Sequence, residues 1–165
     1  GSATRQSGRG YPSRMQDRLK PLLDFCQTLD LSDPAAAQAA LEAEFPFDGE
    51  YVQGIAAAMR AGVADGSMCH MGEDPVRFSR VLKPSEDTHG FSADAVLMSA
   101  PGPRHRHPQG EIDLCFAEDG EPAFDGNAPG WTVYAPDSVH VPSVRGGKML
   151  ILYLLPGGEI EFLKS

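Results

Sequence analysis

From residue 67 onward the sequence breaks into short apolar runs separated by Gly, Pro and Asp, and this punctuation constrains the fold more than any other feature. The runs are Val76–Leu82, Phe91–Met98, 111–116, 131–135 and 149–155, with a further strand expected over 67–71. Five or more short strands with turn signals between them predict an all-β sandwich or barrel. The run 149–155 is the longest apolar stretch and has the length of one strand, well short of the roughly 20 residues that cross a bilayer.

The preceding segment has a different period. Leu19, Leu22, Leu23, Cys26 and Leu29 recur at spacings of three and four, which puts them on one stripe of a helix. Asp33-Pro34 reads as an N-cap followed by proline at the first helical position. Tyr51, Ile55 and Met59 mark a third helix over 48–64, closed by Gly62 or Gly66. The expected organisation is a tail over 1–14, rich in Gly, Ser and Arg and led by a Gly1-Ser2 remnant of cloning, a helical subdomain over 15–66, and a β-barrel over 67–165.

The 165-residue chain has a net charge of −9, from 14 Lys and Arg against 23 Asp and Glu, and no basic block in its body. A nucleic-acid partner is therefore not expected, because phosphate backbones require a basic face. Three cysteines, Cys26, Cys69 and Cys115, form no close pairs and give no disulfide framework. With no apolar leader or spanning segment, the sequence predicts a cytoplasmic protein with a small ligand and no membrane contact.

The chemistry is concentrated in HRHPQGEID, residues 105–113. On a strand, i and i+2 share a face, so His105 and His107 project together while Arg104 and Arg106 face away to solvent. Glu111 keeps the same parity, with Pro108 and Gly110 marking a bend. Two imidazoles and a carboxylate on one face supply three ligands for a divalent metal: imidazole suits Zn, Fe, Ni or Cu, and carboxylate suits Mn and Fe. Downstream, the run 130–140 is a strand ending in a Pro136 turn, and His140 just beyond it completes a four-ligand set with His105, His107 and Glu111.

These two segments resemble the paired motifs of the cupin superfamily, whose small β-barrels hold a metal inside. The HxH-x3-E core of the first motif is intact, with Gly102 closer to the histidines and Gly120 two residues late. In the second, Gly130 and Pro136 match, Ser138 replaces a glycine, His140 comes one residue early and Val144 stands where asparagine is usual. HRHPQGEIDLCF, GWTVYAPDSVHVPSVRGGKMLILYLLPGGEIEF and RVLKPSEDTHGFSADAV together resemble the 4-hydroxylaminobenzoate lyase family over about residues 15–163. The resemblance implies a mainly β, jelly-roll cupin barrel with a helical N-terminal subdomain. It also implies one divalent transition metal (Fe, Mn, Zn or Ni), a small aromatic acid as substrate, and conversion of 4-hydroxylaminobenzoate to 3,4-dihydroxybenzoate and ammonia. Cupins commonly form homodimers through barrel edges, and the same is expected here.

That chemistry needs a proton carrier and a cation for the carboxylate. Asp113, two residues beyond Glu111, is expected in the same cavity, either as a general acid/base beside Glu111 or as an acceptor that orients a ligand histidine. Arg80 and Lys83 are candidate carboxylate anchors, of which strict alternation turns at most one inward. His89 sits in a turn that either reaches the pocket mouth or stays in solvent. Tyr134 and Trp131 have opposite parities: Tyr134 is the candidate for stacking on an aromatic ligand and Trp131 for the core. Cys115 shares the parity of Glu111 and Asp113. Three functional readings stand open: the lyase, an Fe(II)-dependent ring dioxygenase on the same scaffold, and a non-catalytic cupin that binds a small molecule.

Overall fold

A computed structural model describes residues 2–164, with side chains from Arg14 onward. Three helices come first: α1 (Ser2–Cys26), α2 (Pro34–Glu44) and α3 (Glu50–Asp65). The expected tail over 1–14 falls on residues whose side chains lie outside those described, apart from Arg14. Asp33 caps α2 as its sequence suggests, its side chain accepting from the Ala36 amide at 3.3 Å. Gly66, at φ 83°, ends α3 in the left-handed conformation that glycine adopts without a steric penalty. Among the described residues no helix is long and apolar enough to cross a membrane.

Nine strands follow: β1 (Met71–Glu73), β2 (Val76–Leu82), β3 (Phe91–Met98), β4 (His105–His107), β5 (Glu111–Phe124), β6 (Gly130–Tyr134), β7 (Ser138–His140), β8 (Val144–Pro156) and β9 (Glu161–Phe162). They form a six-stranded antiparallel sheet, ordered β1-β2-β3-β8-β5-β6, and a three-stranded sheet, ordered β7-β4-β9. The fold is mainly β with a helical N-terminal subdomain, as expected. Two differences stand out. The strand expected over 67–71 begins only at Met71. β5 and β8 run far beyond 111–116 and 149–155, because their polar, glycine-containing halves pair with each other through register shifts between Ala117 and Asp119 and between Gly120 and Ala123.

Period-two alternation divides β8 between two cores. Leu150, Leu152 and Leu154 point outward and pack with Leu19, Leu22, Leu41 and Ile55 of the helices. Met149, Ile151 and Tyr153 point into the barrel with Met98, Cys115 and Phe124. Both faces are buried, which is why this strand reads as an unbroken apolar run. Trp131 belongs to the outer core and donates its indole N–H to the Phe45 carbonyl at 2.9 Å, tying the α2–α3 connection to β6.

Candidate metal centre

Each side chain of the HRHPQGEID stretch reaches the barrel interior for a local reason. On β4, His105 and His107 are buried and Arg106 between them turns outward, where it pairs with Asp137 and Glu161. The chain then turns at 108–110, and Glu111 opens β5 in the opposite sheet. Gly110 makes this crossing at φ 93°, and a Cβ there would lie 2.8 Å from the Tyr134 carbonyl oxygen and 3.0 Å from Leu31. Glu111 therefore meets the histidines from the facing sheet, where the parity argument had it continue their strand past a bend. His140, at the end of β7, lies directly across from His105 in the small sheet.

The ligand atoms of His105, His107, Glu111 and His140 all lie within 4.8 Å of one another. The Nε2 atom of His140 is 2.9 Å from that of His107 and 3.3 Å from that of His105. Glu111 places Oε1 3.3 Å from His107 Nε2 and Oε2 3.7 Å from His140 Nε2. Burial, reinforced by the neighbouring imidazoles, lowers His105 to about 4 and His107 to about 3, so both are neutral near pH 7 and keep their lone pairs for a metal. His140 differs. Burial alone would lower it, but its hydrogen bond to Asp125 and the nearby carboxylate of Glu111 outweigh that and raise it to about 9. Without a metal, a proton on His140 thus occupies the point on which the ligands converge.

This donor set fits a metal. Three imidazole nitrogens and one carboxylate make a mixed N/O site suited to a first-row divalent ion. Both oxygens of Glu111 are buried without a hydrogen-bond donor, which is costly unless a cation satisfies them.

Asp125 supports the cluster from behind and was missed in the sequence. Its Oδ2 accepts from His140 Nδ1 at 2.8 Å and from the Tyr134 hydroxyl, while Oδ1 accepts from the Ser143 amide at 2.7 Å. Burial would raise its pKa, yet these three donors hold it below the usual carboxylate value. An Asp on the far side of a metal-binding imidazole fixes its tautomer and orientation. The only local sign was the Asp125-Gly126 pair, which reads as an ordinary turn. Tyr134 stacks on His140 at 4.1 Å and on His107 at 6.3 Å between ring centroids. It packs behind the ligand rings and is absent from the residues that line the cavity.

Asp113, expected in the cavity, instead lies within the barrel wall, fully buried and not among the residues that line the cavity. Burial, followed by the adjacent charge of Glu111, pushes its carboxyl well above the ordinary carboxylate range and so favours its protonated form. Neither of its oxygens has a hydrogen-bond partner among the described residues.

A cavity of about 410 Å³ opens from His105 and Glu111 between the two sheets. Its walls are mostly apolar, with Phe78, Val96, Met98 and Phe162 among them, and Arg80 and Asp94 are its other charged residues. Arg80 grips Asp94 with two bonds, Nε to Oδ1 at 2.8 Å and Nη2 to Oδ2 at 3.2 Å. Lys83 is exposed and does not line the cavity. His89 also lies elsewhere: its Nε2 meets Asp24 of α1 at 2.7 Å, so the turn that carries it docks on the helical subdomain. Cys115 points into the barrel core, as its parity suggested.

The model of the family described as 4-hydroxylaminobenzoate lyase matches residues 18–162. A protein of Nocardioides sp. named 4-hydroxylaminobenzoate lyase is 32% identical over 123 residues, covering 68% of this chain and 73% of its own length. One of the same name from Pseudomonas putida is 28% identical over 159 residues, covering 85% and 90%. Among solved structures, an RmlC-like cupin protein from Ralstonia eutropha is similar at 16% identity over 56% of this chain and 62% of its own, with a TM-score of 0.42. With its barrel built around an HxH-x3-E motif and a distant histidine, and with the family model covering nearly all the described residues, this chain belongs to the 4-hydroxylaminobenzoate lyase family.

Proposed function

We propose that the protein is a metal-dependent lyase that converts 4-hydroxylaminobenzoate, or a closely similar N-hydroxylamino aromatic acid, to 3,4-dihydroxybenzoate and ammonia. The observation that carries this reading is a buried three-His, one-Glu cluster at the end of a ring-sized apolar cavity that also holds an arginine. The cavity is within the range of small-molecule sites, roughly 300–1,000 Å³. The names of the two relatives supply the substrate.

The reaction takes up one water and releases one ammonia. The N–O bond breaks with its electron pair leaving on oxygen, the ring supplies two electrons to nitrogen, the neighbouring ring carbon gains a hydroxyl, and water replaces nitrogen at its own ring carbon as the C–N bond breaks to release ammonia. A divalent ion of Fe, Mn, Zn or Ni on His105, His107, Glu111 and His140 supplies Lewis acidity toward oxygen. The remaining work falls to the protein. The apolar walls hold the ring and exclude bulk water, and Arg80 receives the carboxylate by a charge-assisted bond. Asp113, buried beside Glu111 and outside the cavity lining, acts through that carboxylate, as the reservoir for the proton that the departing oxygen takes and the incoming water returns. Lys83 and His89 have no part in this scheme, and Tyr134 acts through the ligand histidines.

The test is to incubate metal-loaded protein with 4-hydroxylaminobenzoate and measure ammonia and 3,4-dihydroxybenzoate. Equal amounts of both are expected. No ammonia from metal-replete protein would overturn the lyase reading. Asp113→Asn is expected to keep its metal and lose turnover by about 10²–10⁴-fold; turnover near wild type would remove Asp113 from the chemistry.

A further inference from the structure

The cavity has a polar wall that the metal cluster does not account for. Strand register aligns one row on the inner face of the large sheet: Arg80 opposite Asp94, Asp94 opposite Tyr153, and Tyr153 opposite Asp113. The adjacent row, Phe78, Val96, Ile151 and Cys115, is apolar. Arg80, Asp94 and Tyr153 all line the cavity. Tyr153 interrupts the apolar run of β8 and is only 7% exposed. Among the described residues its hydroxyl has one hydrogen-bond partner, Met98 Sδ at 3.9 Å, and a thioether is a weak acceptor. Buried tyrosine hydroxyls normally find a proper partner.

The other polar groups of the lining are already engaged. His105 and Glu111 belong to the metal cluster, both Asp94 oxygens are held by Arg80, and Ser79 accepts from the Cys69 amide. Asp94 uses Nε and Nη2 of Arg80 and leaves Nη1. What the wall still offers is therefore two donors, Arg80 Nη1 and the Tyr153 O–H. Two uncommitted donors, one of them cationic, beside an apolar row select a group that only accepts and carries negative charge.

We propose that Tyr153 is a specificity-determining residue of this cavity, its hydroxyl donating to the carboxylate of an aromatic acid whose ring lies against Phe78, Val96 and Met98. Arg80 supplies the positive charge for the same group, and Asp94 holds the guanidinium in place. This assignment rests on the cavity being the substrate site, as proposed above, and is independent of the lyase chemistry that follows binding.

The experiment compares two ligands that differ by one carboxylate, 4-hydroxybenzoate and phenol, titrated calorimetrically into metal-loaded wild type and Tyr153→Phe. The variant keeps the ring and its packing, and metal content and circular dichroism confirm that the site and fold are intact. The expected result is a loss of about tenfold or more in 4-hydroxybenzoate affinity with phenol affinity unchanged. Arg80→Gln is expected to show the same selectivity. Unchanged 4-hydroxybenzoate affinity in Tyr153→Phe, equal losses for both ligands, or no binding of 4-hydroxybenzoate to wild type would each overturn the assignment. Tight carboxylate-dependent binding that needs Tyr153, without ammonia from 4-hydroxylaminobenzoate, would uphold it while overturning the lyase reading.

Discussion

His140 and Asp125 show how one hydrogen bond sets the character of a candidate metal site. Asp125 holds His140 Nδ1–H at 2.8 Å and turns Nε2 toward His105 and His107. Asp125→Asn removes the anionic acceptor, and metal affinity is expected to fall about 10–100-fold. Competition with a metal chelator measures this, and the fold should remain intact. The raised pKa of His140 also predicts a pH dependence. A metal must displace the proton held up to about pH 9, so affinity should climb with pH through the range 6.5 to 9, by about tenfold per unit for one proton. A pH-independent titration would contradict that assignment. For the metal-free protein the linkage has two sides. The raised His140 contributes stability that is full below 6.5 and is lost as pH rises through about 9. The lowered His105 and His107 oppose folding as pH falls below 6.5 through about 4 and 3. These three groups together place greatest metal-free stability near pH 6.5, which thermal melts across pH would reveal.

At the scale of elements, the crossing at Gly110 matters most. It carries the chain from β4 in the small sheet to β5 in the large one and so brings Glu111 face to face with the histidines. Parity along a single strand grouped His105, His107 and Glu111 correctly, yet the grouping arises because a turn folds one strand over another. Gly110→Ala meets both a positive φ and the Tyr134 carbonyl. It is expected to cost about 1–3 kcal/mol and to lower metal occupancy, because the turn cannot relax without moving Glu111. Chemical denaturation and metal analysis on the same sample check both effects. Parity served better within β5, where Asp113 and Cys115 face inward with Glu111 and no turn intervenes. It could not reach Asp125 or Tyr153. Their relation to the site depends on which strands are neighbours, and no periodicity within one strand encodes that.

For the whole molecule, the helical subdomain closes the outer face of the large sheet while the cavity occupies the other side. Leu41 of α2 is fully buried against that sheet. Leu41→Ala is expected to destabilise the protein by about 2–5 kcal/mol without changing the metal stoichiometry of the folded fraction, because it leaves the inner face untouched. Denaturant melts with parallel metal analysis test the separation. The sequence by itself determined the helical-to-β division near residue 66, the main strands, the grouping of His105, His107, Glu111 and His140, and the family resemblance. These depend on local periodicity, turn chemistry and spacing within short motifs, which a linear chain displays directly. Only the tertiary structure decided that Arg80 and not Lys83 lines the cavity, that His89 docks on α1, that Asp125 anchors His140, and that Tyr153 joins Arg80 and Asp94 in one polar row. Each of those depends on cross-strand register and on which sheets face each other, properties fixed by packing the entire barrel at once.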